Sequence, residues 1–357
     1  MSPGRPEDVC IVGLGARTPL GETLAATAAA ARAGVAPFGE HPWMIDRYGK
    51  PMITARDTMI ASELEGAERL LALAMPALAE AMAPLTAAPQ KDEKVPLFLG
   101  LPSESSASGR AKAIVDRLPR EFKGPPPISE VVGFPRGHSA GLMAIEEACR
   151  RIGRGDLELA IAGGIDSYDE PETLELLDER EELKSEAHPW GFIPGEGAGF
   201  CLLTSRRRAQ KSKWAPWGTL AGIATAKEDV LIRSSDGVCL GRGLTEAIRG
   251  ALRSLGGAGE KVDQTWCDLN GQPYRADEFG YAVSRVSPHF VDASEFTAPA
   301  DCWGDVGAAS GPLLISLALV SGRKSTAKGA RHLIWTSSES GERSAAILRL
   351  ETTGEGT

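Results

Sequence analysis

The stretch that decides the fold is residues 131–167, VVGFPRGHSAGLMAIEEACRRIGRGDLELAIAGGIDS. It predicts a strand, a glycine-rich turn at 137–141, a helix over Ser139–Ile152, and a second strand over Leu157–Gly164 that closes in a Gly-Gly turn. The first half of the helix is apolar nearly all round, which indicates burial on more than one side. A polar side chain in the turn would lie at a helix N-terminus, where unpaired backbone N–H groups stabilise a developing anion.

A similar unit recurs in the second half of the chain. Residues 304–311, GDVGAASG, form a small-residue turn before a helix at Pro312–Val320, which is again apolar nearly all round. A surface helix does not need that composition, whereas a helix sandwiched between two sheets does. We therefore predict an α/β protein of two similar halves, residues 1–210 and 211–357, whose buried helices pack back to back in one compact unit.

The overall composition bounds the class of protein. The chain has 357 residues, 42% of them hydrophobic, which is enough for a sizeable core. A net charge of −9 gives no support for a nucleic-acid partner. Six scattered cysteines without a CxxC motif predict reduced thiols in the cytoplasm, and no apolar run is long enough for a membrane span. The histidines have no paired spacing, so we predict no metal site.

Two short motifs suggest other chemistry, but only weakly. GLGARTPLG at 13–21 does not fit a dinucleotide-binding GxGxxG loop, because its last glycine comes late, after a proline. GHSAG at 137–141 matches the GxSxG nucleophile elbow of α/β-hydrolases, which would make Ser139 a nucleophile. A five-residue pattern of common residues is weak alone, and the flanking sequence points to a different family.

Four segments carry that resemblance. AIEEACRRIGRGDLELAIAGGIDS (144–167) and GFIPGEGAGFCLL (191–203) resemble the N-terminal half of the β-ketoacyl synthases, members of the thiolase superfamily. DLNGQPYRADEF (268–279) and WGDVGAASGPLLISLAL (303–319) resemble the family's two histidine loops, in order and spacing. The resemblance implies a thiolase-like five-layer αβαβα fold of two pseudo-repeated halves. It also implies a homodimer or a heterodimer.

The same resemblance places the active-site positions. The nucleophilic cysteine of these synthases falls on His138, the first catalytic histidine on Asn270 and the second on Asp305. The glycine-phenylalanine gate loop falls on 338–341, Ser-Glu-Ser-Gly, which has no aromatic residue. Loss of one nucleophile or oxyanion donor typically lowers the rate by ~10²–10⁶. Ordinary decarboxylative condensation is therefore not expected.

Two classes of function remain open at this point. The chain is an accessory, noncondensing subunit of a fatty acid or polyketide type pathway, paired with itself or with a catalytic synthase and served by an acyl-carrier protein. Alternatively, it is an acyltransferase or thioester-processing enzyme in which His138 pairs with Asp305 as a general base, beside Ser139 and Asn270. Buried His–Asp pairs also occur as purely structural features, so the pattern alone does not choose between them.

Three arginines and two serines complete the predicted site. Arg206, Arg207 and Arg208 form the best patch for the phosphopantetheine of an acyl carrier or for coenzyme A. Ser338 and Ser340, in the loop that replaces the family's gate, are candidate substrate contacts. No cofactor is predicted; an acyl-carrier or coenzyme A thioester would be a substrate.

Overall fold

The computed structural model describes residues 9–87, 93–103, 109–231, 237–256 and 259–351. Within these ranges the elements are β1 (Val9–Arg17), α1 (Leu24–Arg32), β2 (Gly39–Ile45), β3 (Pro51–Thr54), α2 (Gly66–Ala81), α3 (Ala83–Ala87), β4 (Val95–Leu101), α4 (Arg110–Glu121), β5 (Ile128–Pro135), α5 (Ala140–Arg154), β6 (Leu159–Ser167), α6 (Pro171–Glu179), β7 (Glu196–Ser205), α7 (Arg206–Lys211), β8 (Gly218–Lys227), α8 (Arg242–Leu252), β9 (Gln264–Cys267), α9 (Pro273–Val286), α10 (Ala300–Trp303), α11 (Ser310–Arg323), β10 (Arg331–Ser337) and β11 (Glu342–Leu350). Short 3-10 turns at Gly137–Ser139 and Gly307–Ala309 lead directly into α5 and α11.

The sheet topology repeats itself. Nine strands lie in the order β5-β4-β6-β7-β1-β8-β11-β10-β9, and β1 meets β8 through only two residue pairs, Cys10 with Thr219 and Ile11 with Gly218. From this join outward, each half has two antiparallel pairings followed by a parallel one: β1-β7-β6-β4 on one side and β8-β11-β10-β9 on the other. Two pseudo-repeated halves are therefore confirmed.

The helices complete five layers. α5 and α11 contact strands of both halves, and the ten residues Ser310–Leu319 of α11 are all buried. α2 and α4 cover the outer face of the first half, whereas α8 and α9 cover the outer face of the second. Along β6 the side chains alternate accordingly, with Ala160 facing the central helices and Ile161 facing α2. This arrangement confirms the predicted αβαβα fold.

One detail of the sequence analysis is wrong. Gly163 and Gly164 do not form a turn, because β6 continues through them to Ser167. A Cβ on Gly164 would lie 2.1 Å from the carbonyl oxygen of Ala308, in the turn before α11. The glycines instead let this strand approach the second turn closely, which a side chain would prevent.

Two general expectations have different outcomes. No helix in the described ranges is long and apolar enough to cross a membrane. The predicted boundary at residue 210 falls inside α7, and the division of the chain there stays a prediction.

Candidate functional site

The structure brings three of the predicted residues together around one carboxylate. Nε2 of His138 lies 2.9 Å from both oxygens of Asp305. Nδ2 of Asn270 donates to Oδ2 of Asp305 at 2.6 Å, and the backbone N–H of Gly307 donates to Oδ1 at 2.8 Å. The hydroxyl of Tyr168 lies 3.4 Å from Oδ1. Asp305 therefore gathers donors from both halves of the protein.

Tight turns position these side chains. His138 lies in the turn that connects β5 to α5, and Asp305 immediately precedes the turn before α11. Both turns begin with a glycine of positive φ, Gly137 at 67° and Gly307 at 47°. A Cβ on Gly307 would lie 2.0 Å from Oδ2 of Asp166, so only glycine allows the second turn to pass this close to β6.

An arginine and a second aspartate surround the imidazole. Nη2 of Arg275 lies 3.2 Å from Nε2 of His138, while its Nη1 donates to the carbonyl oxygen of Ser337 at 2.8 Å. Nη1 also lies 3.4 Å from Oδ2 of Asp268. All four side chains are buried, so each charge is compensated by a neighbour rather than by water.

Burial and ion pairing shift the pKa values of His138 and Asp305 in opposite directions. Burial disfavours the charged imidazole, but the Asp305 carboxylate outweighs it and raises the pKa of His138. Burial likewise opposes ionisation of Asp305, yet His138 and Arg275 hold the pKa of that carboxyl well below its usual range. Burial raises the pKa of Asp166 to about 6, although the N–H groups of Ala308 and Ser167 donate to its carboxylate. The native site thus favours an imidazolium–carboxylate pair.

Ser139 is not placed as a nucleophile. Its side chain is fully buried, and its hydroxyl donates to the carbonyl oxygens of Thr336 at 3.0 Å and Glu342 at 2.9 Å. Those acceptors belong to β10 and β11, so the hydroxyl ties the two halves together. In this arrangement the Ser139 hydroxyl is bonded to backbone carbonyls and not to His138, whereas a nucleophile must be accessible and bonded to its base.

The two serines of the predicted gate loop have different roles. Oγ of Ser338 accepts the backbone N–H of Ser139 at 2.8 Å, which satisfies one of the N–H groups at the start of α5. Ser340 is exposed, and its hydroxyl donates to Glu342 at 2.5 Å. At the other turn, the N–H of Ala308 donates to Oδ2 of Asp166 at 2.8 Å. The N–H groups of Ser139 and Ala308, one in each turn, are therefore bonded within the chain.

The arginine patch lies elsewhere. Strand β7 has ten residues, and its first residue, Glu196, pairs with Ser167 near the cluster. Its other end leads into α7, which begins with Arg206, Arg207 and Arg208. That strand spans about 30 Å. Arg207 is paired with Glu158, and Arg208 is paired with Glu93 and stacks on Trp214. The structure therefore does not bring the arginines to the His138–Asp305 cluster.

Two cavities flank the cluster. One, lined in part by Cys267, Asp268 and Asp305, has a volume of about 10 Å³, which is room for a single water. The other has a volume of about 460 Å³ and opens to solvent; its wall includes Arg180, His188, Trp190, Gln272 and Tyr274. The larger cavity approaches the cluster from the Asn270 side, because Asn270 donates to Gln272 at 3.0 Å.

Several residues of the site were not predicted. Asp166 closes the run AGGIDS, and Arg275 and Gln272 lie within NGQPYRADEF. Both segments supported the family resemblance, but nothing in the sequence indicated that Arg275 would lie against His138, Gln272 against Asn270, or Asp166 against the turn before α11. Asp268 precedes Asn270 by two residues, and in an extended segment residues two apart point to the same side. That spacing was the available signal that Asp268 would lie on the side of Asn270.

One cluster in the described ranges has the composition of a metal site. Glu228, Cys239 and Glu278 bring potential ligand atoms within 4.8 Å of one another. Glu228 already accepts the N–H of Gly243 at the start of α8, at 2.7 Å, and Glu278 is paired with Arg343 at 2.6 Å. Both carboxylates therefore have structural partners, and we assign the cluster a role in joining α8, α9 and β11.

Comparisons with known proteins agree with this geometry. Residues 137–209 match the family model of the β-ketoacyl synthase N-terminal domain. No curated protein sequence matches the chain significantly. The ketosynthase from module 6 of the bacillaene synthase of Bacillus subtilis 168 superposes with a TM-score of 0.77 at 15% identity, covering 96% of this chain and 72% of that one.

Two further structures come from complexes. A type II polyketide ketosynthase bound to the hexaketide, in complex with its acyl-carrier protein, has a TM-score of 0.77 at 17% identity, covering 98% of this chain and all of that one (100%). The ishigamide ketosynthase/chain length factor has a TM-score of 0.66 at 20% identity, covering 96% and 99%. These likenesses establish the thiolase-like fold. The resemblance to β-ketoacyl synthases is confirmed.

Proposed function

We propose that this β-ketoacyl synthase-like chain is an accessory, noncondensing subunit of an acyl-thioester pathway of the fatty acid or polyketide type. The observation that carries the proposal is the closed polar cluster around Asp305, whose oxygens bind His138, Asn270 and the Gly307 N–H. The cavity of about 10 Å³ beside Asp305 has no room for an acyl chain. A closed cluster of this kind supports a structural role rather than a catalytic one.

The residue types support the same conclusion. By the sequence resemblance, His138 stands where the synthases have their nucleophilic cysteine, and Asn270 and Asp305 stand where they have histidines. Cys267, which lines the small cavity, does not substitute for the nucleophile. Burial raises the pKa of its thiol far above neutrality, so no reactive thiolate forms there.

An exposed sheet edge supports pairing with another subunit. Among the described strands, β5 is the outermost of the first half and pairs with β4 alone. Its residues Val131, Val132 and Phe134 are half-buried, so an apolar edge with unused backbone groups remains accessible. We propose that a second synthase-fold chain, either another copy or a catalytic synthase, adds its own strand here.

Light scattering tests this pairing. We expect the chain to form a dimer, either alone or with a catalytic synthase of its pathway. Val132→Lys should weaken the affinity of this dimer by at least ~10-fold, because pairing would remove the lysine charge from water at the strand edge. Val291→Lys, on a side chain that is 65% exposed, is the matched control. A chain that stays monomeric and retains no synthase contradicts the accessory role.

Intact-mass measurement tests the absence of turnover. After incubation with acyl-coenzyme A and acyl-carrier thioesters, we expect neither an adduct nor thioester loss. Thioester loss that disappears in His138→Ala would replace the accessory role with the enzymatic one.

A second candidate function rests on one specific contact. The His138–Asp305 pair at 2.9 Å has the geometry of a general base held by a carboxylate. In that case the protein would transfer or hydrolyse an acyl group from an acyl-carrier phosphopantetheine or coenzyme A. The same thioester assay distinguishes the two functions, because only the second requires His138 to be reached by substrate.

A further inference from the structure

The large cavity and the polar cluster are separated by two side chains. The hydroxyl of Tyr274 donates to Oε1 of Gln272 at 2.9 Å, and the same oxygen accepts from Asn270 at 3.0 Å. Asn270 in turn donates to Asp305. Gln272 and Tyr274 both line the cavity, whereas Asp305 lies behind them. The hydrogen bonds therefore form a continuous chain from the cavity to the cluster, and the side chains that make it lie between the two.

A second line of contacts closes the route to His138. The guanidinium of Arg275 lies 5.7 Å from the ring centroid of Tyr274 and 3.2 Å from Nε2 of His138. Arg275 is buried and Gln272 is only 6% exposed, so water reaches neither freely. At the rim, a Cβ on Gly271 would lie 3.7 Å from the carbonyl oxygen of Gly191, where the two wall loops meet.

We propose that Gln272 and Tyr274 are a seal that makes the cavity of about 460 Å³ a blind vestibule, cut off from His138. The seal rests on the proposed function, since it explains how a noncondensing subunit keeps a thioester away from its polar cluster. Removal of both side chains opens a path from the vestibule to the imidazole. Tyr274 covers Arg275, and Gln272 covers Asn270.

Carbethoxylation by diethyl pyrocarbonate tests the seal, because the five histidines supply internal references. His289 is exposed and reports free reaction. His332 is fully buried, and burial lowers its pKa to about 4, so its protection reports the fold rather than its charge. Modification of each histidine is followed by peptide mass at a series of pH values, because an imidazole of ordinary pKa is neutral at about pH 8 whereas Asp305 raises the pKa of His138. The variants are compared at the same pH, at the alkaline end of the series, so that the charge of His138 does not imitate protection by the seal.

The test variant is Gln272→Ala with Tyr274→Ala, and the control is Tyr281→Ala, an exposed tyrosine on the same helix. We expect His138 to be protected in the wild type and in the control, and to react at least ~10-fold faster in the double variant, with His332 unchanged. If His138 stays protected, or becomes reactive only together with His332, the seal is disproved. Reaction of His138 in the wild type without thioester turnover would disprove the seal and leave the proposed function standing.

Discussion

The two turns that precede the buried helices use the same backbone but different side chains. Gly137 and Gly307 open them with positive φ, and Gly141 and Gly311 follow four residues later in each helix. The first turn is capped by the hydroxyl of Ser338, after β10. The second is capped by a carboxylate on β6, the strand that occupies the position equivalent to β10. Each half therefore caps the buried helix of the other.

The difference between the caps determines the electrostatics of the site. A serine cap adds no charge to the first turn, which already lies beside His138 and Arg275. The second turn lies beside two carboxyl groups, Asp166 and Asp305, of which only Asp305 has a lowered pKa. His138 and Arg275 therefore gather at one turn and the Asp305 carboxylate at the other, and the attraction between them holds the halves together. This complementarity gives the cluster a structural purpose that does not depend on catalysis.

The largest expected effect comes from removing the carboxylate shared by both turns. Asp305→Ala leaves the His138 imidazole buried without its carboxylate partner, so we expect a loss of about 3–5 kcal/mol in the free energy of unfolding. Urea denaturation measures it, with the exposed Asp301→Ala as the control. A loss similar to that of the control would show that the turns are not held by charge.

The charged cap predicts a pH dependence that the serine cap lacks. The pKa of Asp166 rises from 3.8 in the unfolded chain to about 6 in the folded protein, so the folded state binds the proton more tightly. Its stabilising contribution is full below pH 3.8 and is lost as the pH rises to about 6, amounting to about 3 kcal/mol.

Asp166→Asn removes the titrating group, so we expect the fall in stability across this pH range to become shallower. The exposed Asp156→Asn is the control and should leave the slope unchanged. Urea denaturation at a series of pH values measures both. An unaltered slope in Asp166→Asn would mean that the cap does not titrate in this range.

The glycine at which the two buried helices cross should tolerate substitution by alanine less well than an ordinary helical glycine. A Cβ on Gly141 would lie 2.5 Å from Cδ of Pro312 and 2.6 Å from the carbonyl oxygen of Ala308. Gly141→Ala should therefore cost about 1–3 kcal/mol. Gly280→Ala in α9, whose Cβ would contact nothing within 4 Å, should be neutral or slightly stabilising. Equal unfolding midpoints for the two variants would contradict the close crossing.

The smallest effect is expected for the neutral cap. Ser338→Ala removes the hydroxyl that accepts the Ser139 N–H, and we expect a loss of about 1 kcal/mol. Ser340→Ala, two residues later and exposed, should change stability by less. Thermal unfolding compares the two. If Ser338→Ala costs as much as Asp305→Ala, the caps are equivalent despite their charges.

The sequence predicted the second repeat because small-residue turns followed by wholly apolar helices are visible without coordinates. It also predicted that His138, Asn270 and Asp305 converge, since each was placed through a motif of a family with a known arrangement. It did not indicate that the Ser139 hydroxyl would donate to β10 and β11, because the direction of a hydroxyl depends on distant partners. The assignment of Arg206–Arg208 as a patch for an acyl carrier or coenzyme A stays a prediction.

By itself, then, the sequence determined two similar α/β halves with buried helices, because hydrophobic periodicity and turn chemistry are local properties. The resemblance to β-ketoacyl synthases implied the five layers and the residues that meet at their centre. Only the tertiary structure decided what those residues do. Ser338, Asp166 and Arg275 reach the turns from elements far away in the chain, and hydrogen bonds between such residues leave no periodic signal. The closed cluster around Asp305 depends on those long-range contacts.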